Sequence, residues 1–265
     1  MTDTFTPSHR GGSGEPMLLL HGFTDTWRTW DLVREDLEHR HDVLAVTLPG
    51  HAGGPPIEGE VSDTALVDQL EGMLDEVGWE TAHIVGNSLG GYAALHLAAR
   101  GRAKSVVALA PAGGWAIGDD SYQNTLGHFS TMQELLQNAA PYADAIVASP
   151  EGRRQSTQIF ATNYEHIPAD LIAHLIRGAA ACEAAGPLIE YAKREGWKLE
   201  PEKITCPVRI VWGTSDLLLL WPSAAARFQA ELPHADWVEL EGIGHCIQLD
   251  VPLETVQLIL GWTAP

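Results

Sequence analysis

The chain has 265 residues, 45% of them hydrophobic, with a formal net charge of -19 and three cysteines. That length suits one large α/β domain, or one domain with an insertion, and the apolar share is enough for a sizeable core. The acidic surplus argues against nucleic acid and anionic membrane surfaces as partners, since both need clustered Lys and Arg. Cys182, Cys206 and Cys246 are unevenly spaced and odd in number, which fits a reducing compartment without a disulfide framework. Cys246 reads as a buried structural thiol.

In chain order, Met1 to Pro16 is polar and lacks the basic start and apolar centre of a signal peptide. Met17–Leu20 reads as a buried strand, far too short to span a membrane, so a cytoplasmic protein is expected. Trp27 to Arg40, with Trp30, Val33 and Leu37 at helical spacing, predicts a helix. Asp42 to Thr47 is a second strand, closed by Leu48-Pro49-Gly50-His51. Val61 to Val77 is helical with Ser62 as N-cap. Ala82-His83-Ile84-Val85 is a strand, Tyr92 to Arg100 a helix, and Ser105 to Leu109 a strand. Val208–Trp212 and Trp237–Leu240 are strands, followed by helical patterns at Pro222 to Glu231 and Pro252 to Trp262. Alternating strands and helices predict a mostly parallel, doubly wound α/β sheet.

Residues 116–200 break the alternation. They lack strand-like runs, and helices are expected at Met132 to Ala140, Tyr142 to Ala148, Gly152 to Thr162 and Ala169 to Ala185, interrupted at Pro141, Pro150 and Pro168. The reading is a core of residues 1–115 and 201–265 with a helical cap, 116–200, over the carboxyl ends of the strands, where ligands bind in such sheets.

Between the strand ending at Val85 and the following helix lies Gly86-Asn87-Ser88-Leu89-Gly90-Gly91. Strand, Gly-x-Ser-x-Gly turn and helix in that order are the context of a nucleophile elbow. Gly86 and Gly90 permit a sharp turn, so Ser88 can be held strained at the positive end of the helix. A dinucleotide fingerprint has its glycines at other offsets, and no Gly-Lys-Ser/Thr is present for a phosphate loop.

A serine hydroxyl needs a base, and the base needs a partner to orient it. Gly213-Thr214-Ser215-Asp216 and Glu241-Gly242-Ile243-Gly244-His245 each follow a strand end on the rim expected for Ser88. The order Ser88, Asp216, His245 is nucleophile, acid, base. Another place for the acid, one strand earlier, reads Ala110-Pro111-Ala112-Gly113-Gly114 and holds no carboxylate; Asp119 and Asp120 lie further on. The loop His21-Gly22-Phe23 can aim the Phe23 N–H at the same point as that of Leu89, forming an oxyanion hole.

With those segments, and Leu48-Pro49-Gly50-His51, the chain resembles the α/β-hydrolase fold superfamily, in its lid-bearing, serine-nucleophile branch, over residues 17 to about 262. The family usually begins with a β-hairpin; here that hairpin is expected to be truncated or absent. The resemblance implies hydrolysis of a small to medium carboxylic ester through an acyl-enzyme. Serine argues against the haloalkane dehalogenase and epoxide hydrolase branches, which use aspartate. Two alternatives stay open: a carbon–carbon bond hydrolase of the same fold, and a hydrolase-like receptor for a small ligand. Loop position suggests Trp27, Trp115, Phe129, Met132, Phe160, Leu217 and Trp221 as pocket lining, with Trp30, Leu218, Leu219, Leu220 and Tyr164 as further possibilities. No metal motif or cofactor is indicated, a small-molecule ester is the expected partner, and nothing bears on oligomeric state.

Overall fold

The computed structural model describes residues 4–263. Seven strands form one sheet: β1 (Ser8–Gly12), β2 (Glu15–Leu20), β3 (His41–Val46), β4 (Ala82–Asn87), β5 (Ala103–Leu109), β6 (Val208–Gly213) and β7 (Asp236–Leu240), in the spatial order β1-β3-β2-β4-β5-β6-β7. All neighbours are parallel except β1, which runs antiparallel to β3 at the edge. The central strands are buried on both faces, as parallel strands are when crossover helices cover them.

Alternation along the strands divides the core. Leu18, Leu20 and Ile84 pack with Leu66, Leu70 and Leu74 of α2 (Asp63–Glu76) and Leu95 of α3 (Leu89–Ala99). Met17, Leu19 and Val85 pack on the opposite face, with Leu37 from α1 (Arg34–Glu38) and Ile259 from a C-terminal helix, Pro252–Thr263. The Ser62 hydroxyl caps α2 by accepting from the Ala65 N–H at 2.9 Å, as its sequence position predicted. Nearly all of α3 is buried, so it is apolar all round rather than amphipathic.

Between β5 and β6 the chain is helical: α4 (Tyr122–Ala139), α5 (Ala143–Val147), α6 (Pro150–Thr157), α7 (Ala169–Ala180) and α8 (Ala185–Glu195). This block has its own apolar centre of Ala143, Val147, Leu171, Ile172 and Ile176, joined by Leu249 from beyond β7. Three helices close the chain: α9 (Ala226–Glu231), α10 (Ile247–Asp250) and α11 (Pro252–Thr263). Among the described residues, no helix is long and apolar enough to cross a membrane.

Among the described residues no hairpin precedes β2, in line with expectation, but one edge strand is present: β1 skips β2 and pairs with β3, pinned by Arg10 on Asp42 at 2.6 and 2.9 Å. Other elements differ from expectation. The helix expected at 27–40 is a 3-10 turn, Trp27–Trp30, followed by the short α1, with Trp30 and Leu37 still buried. Helix α4 starts ten residues before the expected Met132, at Tyr122. Helix α8 begins where the expected helix 169–185 ends, with Gly186-Pro187 in its first turn. In the first turn, where no backbone donor is required, Pro187 is tolerated.

Candidate active site

Ser88 sits between β4 and α3 with φ +56°, a left-handed conformation unfavourable for a residue with a side chain. The surroundings impose it. A Cβ on Gly86 would lie 2.2 Å from the Gly90 carbonyl oxygen, and one on Gly90 would lie 2.2 Å from that of Leu20. The Ser88 N–H donates to Leu109 at 2.9 Å, and its carbonyl accepts from Tyr92 and Ala112 at 3.0 Å. Leu89 opens α3, so its N–H has no partner within the helix.

Asp216 lies in the loop after β6. One carboxylate oxygen accepts from the Leu218 and Leu219 N–H groups, both at 2.8 Å, and the other meets His245 Nδ1 at 2.6 Å. Both residues are buried. With Nδ1 donating to Asp216, Nε2 is the nitrogen left to take a proton. Asn87, which the sequence did not single out, ties the end of β5 to the His245 loop: its Nδ2 donates to the carbonyls of Leu109 and His245, each at 3.1 Å.

The loop after β2 is held just as firmly. His21 accepts the Leu48 N–H at Nε2, 2.8 Å away, so Nδ1 donates to the Gly22 carbonyl at 2.7 Å. A trans peptide places N–H opposite C=O, so tethering the Gly22 carbonyl also sets the direction of the Phe23 N–H. Burial, then the neighbouring His51, holds His21 well below the ordinary imidazole range; burial lowers His51 to about 4. Thr24 has φ +62°, a second strained position in this loop. Next to it, burial pushes the Asp25 carboxyl up to about 7, against the hydrogen bond it accepts from the Thr26 N–H at 2.7 Å.

Asp250 forms a further anchor. Its buried carboxylate accepts from the N–H groups of Thr162 (2.9 Å), Asn163 (2.7 Å) and Gly244 (2.6 Å), from Asn163 Nδ2 (2.9 Å) and from the Thr162 hydroxyl (3.1 Å). The Cys246 N–H donates to the Phe160 carbonyl at 2.8 Å. The segment joining α6 to α7 is thereby stitched to the residues on either side of His245. Burial raises the Cys246 thiol well above its usual range, in keeping with a structural role.

Two cavities share Ser88 in their walls. The first, about 150 Å³, is lined by Asp25, Met132, Gln133, Ile172, Phe160 and His245 among others; the second, about 60 Å³, by Leu89, Trp115, Leu126, Leu188, Ile189 and Trp197 among others. Ser88, Phe23 and Phe129 belong to both. Phe23 and Phe129, with ring centroids 5.2 Å apart, divide the two arms. Among the described residues, no group of three His, Cys, Asp or Glu side chains could hold a metal ion.

Of the pocket residues expected from sequence, Trp115, Phe129, Met132 and Phe160 line these arms, while Trp27, Leu217 and Trp221 do not. Trp27 stacks on His9 and donates to the Thr6 hydroxyl, because its 3-10 turn leads away from the rim. Leu217 is 58% exposed; Leu218 and Leu219, whose N–H groups bind Asp216, turn inward instead. Trp221 packs between Trp212 and Trp237. Of the further possibilities, Trp30 is in the core, and Leu220 and Tyr164 line neither arm. Asp119 lies on the exposed loop before α4, its carboxylate accepting from the Ser121 N–H.

Comparison with known proteins settles the family. A model described as "Alpha/beta hydrolase family" matches residues 17–258. The chain belongs to the alpha/beta hydrolase family. This hydrolase is 31% identical to the epoxide hydrolase EphH of Mycobacterium tuberculosis over 75% of its own length and 94% of the relative's. It is 34% identical to a 2-hydroxymuconate semialdehyde hydrolase of Pseudomonas sp. over 36% of its length and 35% of the relative's. Its fold matches that of the carboxylesterase CesB of Bacillus subtilis with a TM-score of 0.71, 18% identity, all of this chain and 90% of the other.

Proposed function

We propose that this alpha/beta hydrolase cleaves carboxylic esters through an acyl-enzyme on Ser88. The reading is carried by the buried Asp216–His245 pair, 2.6 Å apart, whose imidazole lines the same cavity as a serine held at φ +56°. His245 takes the Ser88 proton as Oγ attacks the ester carbonyl, while Asp216 stabilises the imidazolium without itself gaining the proton. The tetrahedral oxyanion is held by the N–H groups of Phe23 and Leu89, each worth about 3 kcal/mol in such sites. His245 then protonates the departing alcohol. Water, deprotonated by the same imidazole, releases the acid, and the helical block acts as a lid that limits solvent during the cycle.

The relationship to an epoxide hydrolase bears on substrate but meets a chemical obstacle at Ser88. A serine oxygen opening an epoxide forms an ether, which an activated water does not readily hydrolyse. An acyl-serine is an ester, and it turns over. A carbon–carbon bond hydrolase is the second reading, favoured by the relative that acts on a semialdehyde. The test is a panel of p-nitrophenyl esters, a vinylogous diketone and a styrene-type epoxide, assayed with wild type and Ser88→Ala. Rapid ester cleavage that falls about 10⁶-fold in the variant is the expected result. Epoxide or diketone turnover exceeding ester turnover would overturn the assignment.

A further inference from the structure

The two arms at Ser88 differ in which part of the machinery they contain. His245 lines only the larger arm, whereas Leu89, whose N–H belongs to the oxyanion hole, lines only the smaller. In ester cleavage the departing alkoxide must receive its proton from the imidazole, so the alcohol must lie on the imidazole side. The acyl group, which stays on Ser88, occupies the other arm. This order also serves the second half of the cycle, because water can enter the place the alcohol has left and meet the same His245 nitrogen.

Their chemistry differs as well. The smaller arm is walled by Leu126, Leu188 and Ile189 and suits an apolar chain. The larger arm has apolar walls too, but Asp25 and Gln133 contribute to its lining. Gln133 Nε2 donates to the Ala179 carbonyl at 2.8 Å, which orients the amide, and Oε1 is left buried without a partner. A buried acceptor of this kind favours an entering group that donates a hydrogen bond. Burial also pushes the Asp25 carboxyl up to about 7, so its surroundings disfavour charge and select a neutral donor over an ammonium.

We propose that the substrate is an ester of an apolar acid with a hydroxyl-bearing alcohol, the alcohol lying beside Asp25 and Gln133 and the acyl chain beside Leu126, Leu188 and Ile189. This rests on the ester-hydrolase reading of Ser88. The experiment separates the two by measuring binding and turnover independently. Pentyl hexanoate and 4-hydroxybutyl hexanoate have similar shape and differ in the terminal hydroxyl. Both are titrated calorimetrically into Ser88→Ala, and into Ser88→Ala carrying Gln133→Leu; both are also offered to the wild-type enzyme.

The hydroxylated ester should bind about tenfold more tightly to Ser88→Ala, and Gln133→Leu should bring the ratio near one. Equal binding of the two esters, or a preference that survives Gln133→Leu, would overturn the alcohol assignment. In wild type carrying Ile189→Trp, kcat/KM for hexanoyl esters should fall about tenfold against acetyl esters, with the hydroxyl preference intact. Loss of the hydroxyl preference there, with acyl selectivity unchanged, would reverse the arms. Should wild type cleave neither ester, nor the p-nitrophenyl esters, the ester reading itself fails, whatever the calorimetry shows.

Discussion

The sheet rim and the helical block meet at the same cavity but are held in different ways. On the rim, Ser88, Asp216 and the loop after β2 are fixed by hydrogen bonds to buried backbone groups and His245 by the Asp216 carboxylate, and Gly86, Gly90, Gly213 and Gly244 have no room for a Cβ. In the block, Met132, Ile172, Leu188 and Ile189 approach the cavity as side chains projecting from helices that have apolar centres of their own. The rim is therefore specified to the atom. The block is specified to the helix face, where apolar exchanges of similar volume are tolerated. On the proposed reading, chemistry belongs to the first region and selectivity to the second.

Asp216→Asn probes the rim most sharply. The asparagine keeps the shape and an oxygen for Leu218 and Leu219, but it presents an NH₂ to His245 and so favours the wrong tautomer. A fall in kcat of about 10⁴-fold is expected, at unchanged melting temperature and circular dichroism. A loss under tenfold would mean that the rim is as forgiving as the block.

Asp250→Asn tests a place where the two regions are joined. Either orientation of the amide turns an NH₂ toward donors, facing Gly244 and Thr162 or facing Asn163. Unsatisfied buried donors cost about 1–3 kcal/mol each. Because Gly244 precedes His245, part of that cost should appear as misplacement of the base: kcat about 10- to 100-fold lower, with KM nearly unchanged. Thr162→Val, which removes only the hydroxyl from the block's side, should cost a few-fold. A change confined to KM would place Asp250 with the selectivity region.

The same division explains what could be read in the sequence. Ser88, Asp216, His245 and the Phe23 loop were legible because a strained turn or a strand-end loop needs particular residues at particular offsets. The strand β1 was not, since Ser8-His9-Arg10-Gly11-Gly12 carries no apolar alternation and owes its form to the open edge of β3. Trp27 and Trp221 pack elsewhere for a related reason: proximity in sequence to a candidate site loop does not say which way a large ring packs. Gln133 was overlooked because a polar residue among apolar helix neighbours ordinarily marks the solvent side. Asn87 gave no signal beyond its position before the nucleophile.

Asp25 lies on the rim and lines the arm assigned to the alcohol, and its effect should be the smallest and the most dependent on pH. In the unfolded chain its carboxyl ionises in the ordinary range; in the fold it keeps its proton up to about 7. Below the ordinary carboxylate range both states are protonated, and the group contributes nothing. As pH rises from about 4 to about 7, only the unfolded state releases the proton, so stability falls across that window and is level above it. His21 and His51 act in the opposite direction, since both are held below the usual imidazole range and favour the fold as pH rises toward about 6.5. Comparing wild type with Asp25→Asn at each pH cancels the histidines. The shift sets a ceiling of about 4 kcal/mol, and water entering the arm reduces it, so the variant should gain about 1 kcal/mol over wild type between pH 5 and pH 8 in urea unfolding. A gain of the same size at both pH values would show that Asp25 is ionised throughout, as an ordinary solvated rim carboxylate, and that the larger arm is open to bulk water rather than enclosed by the helices.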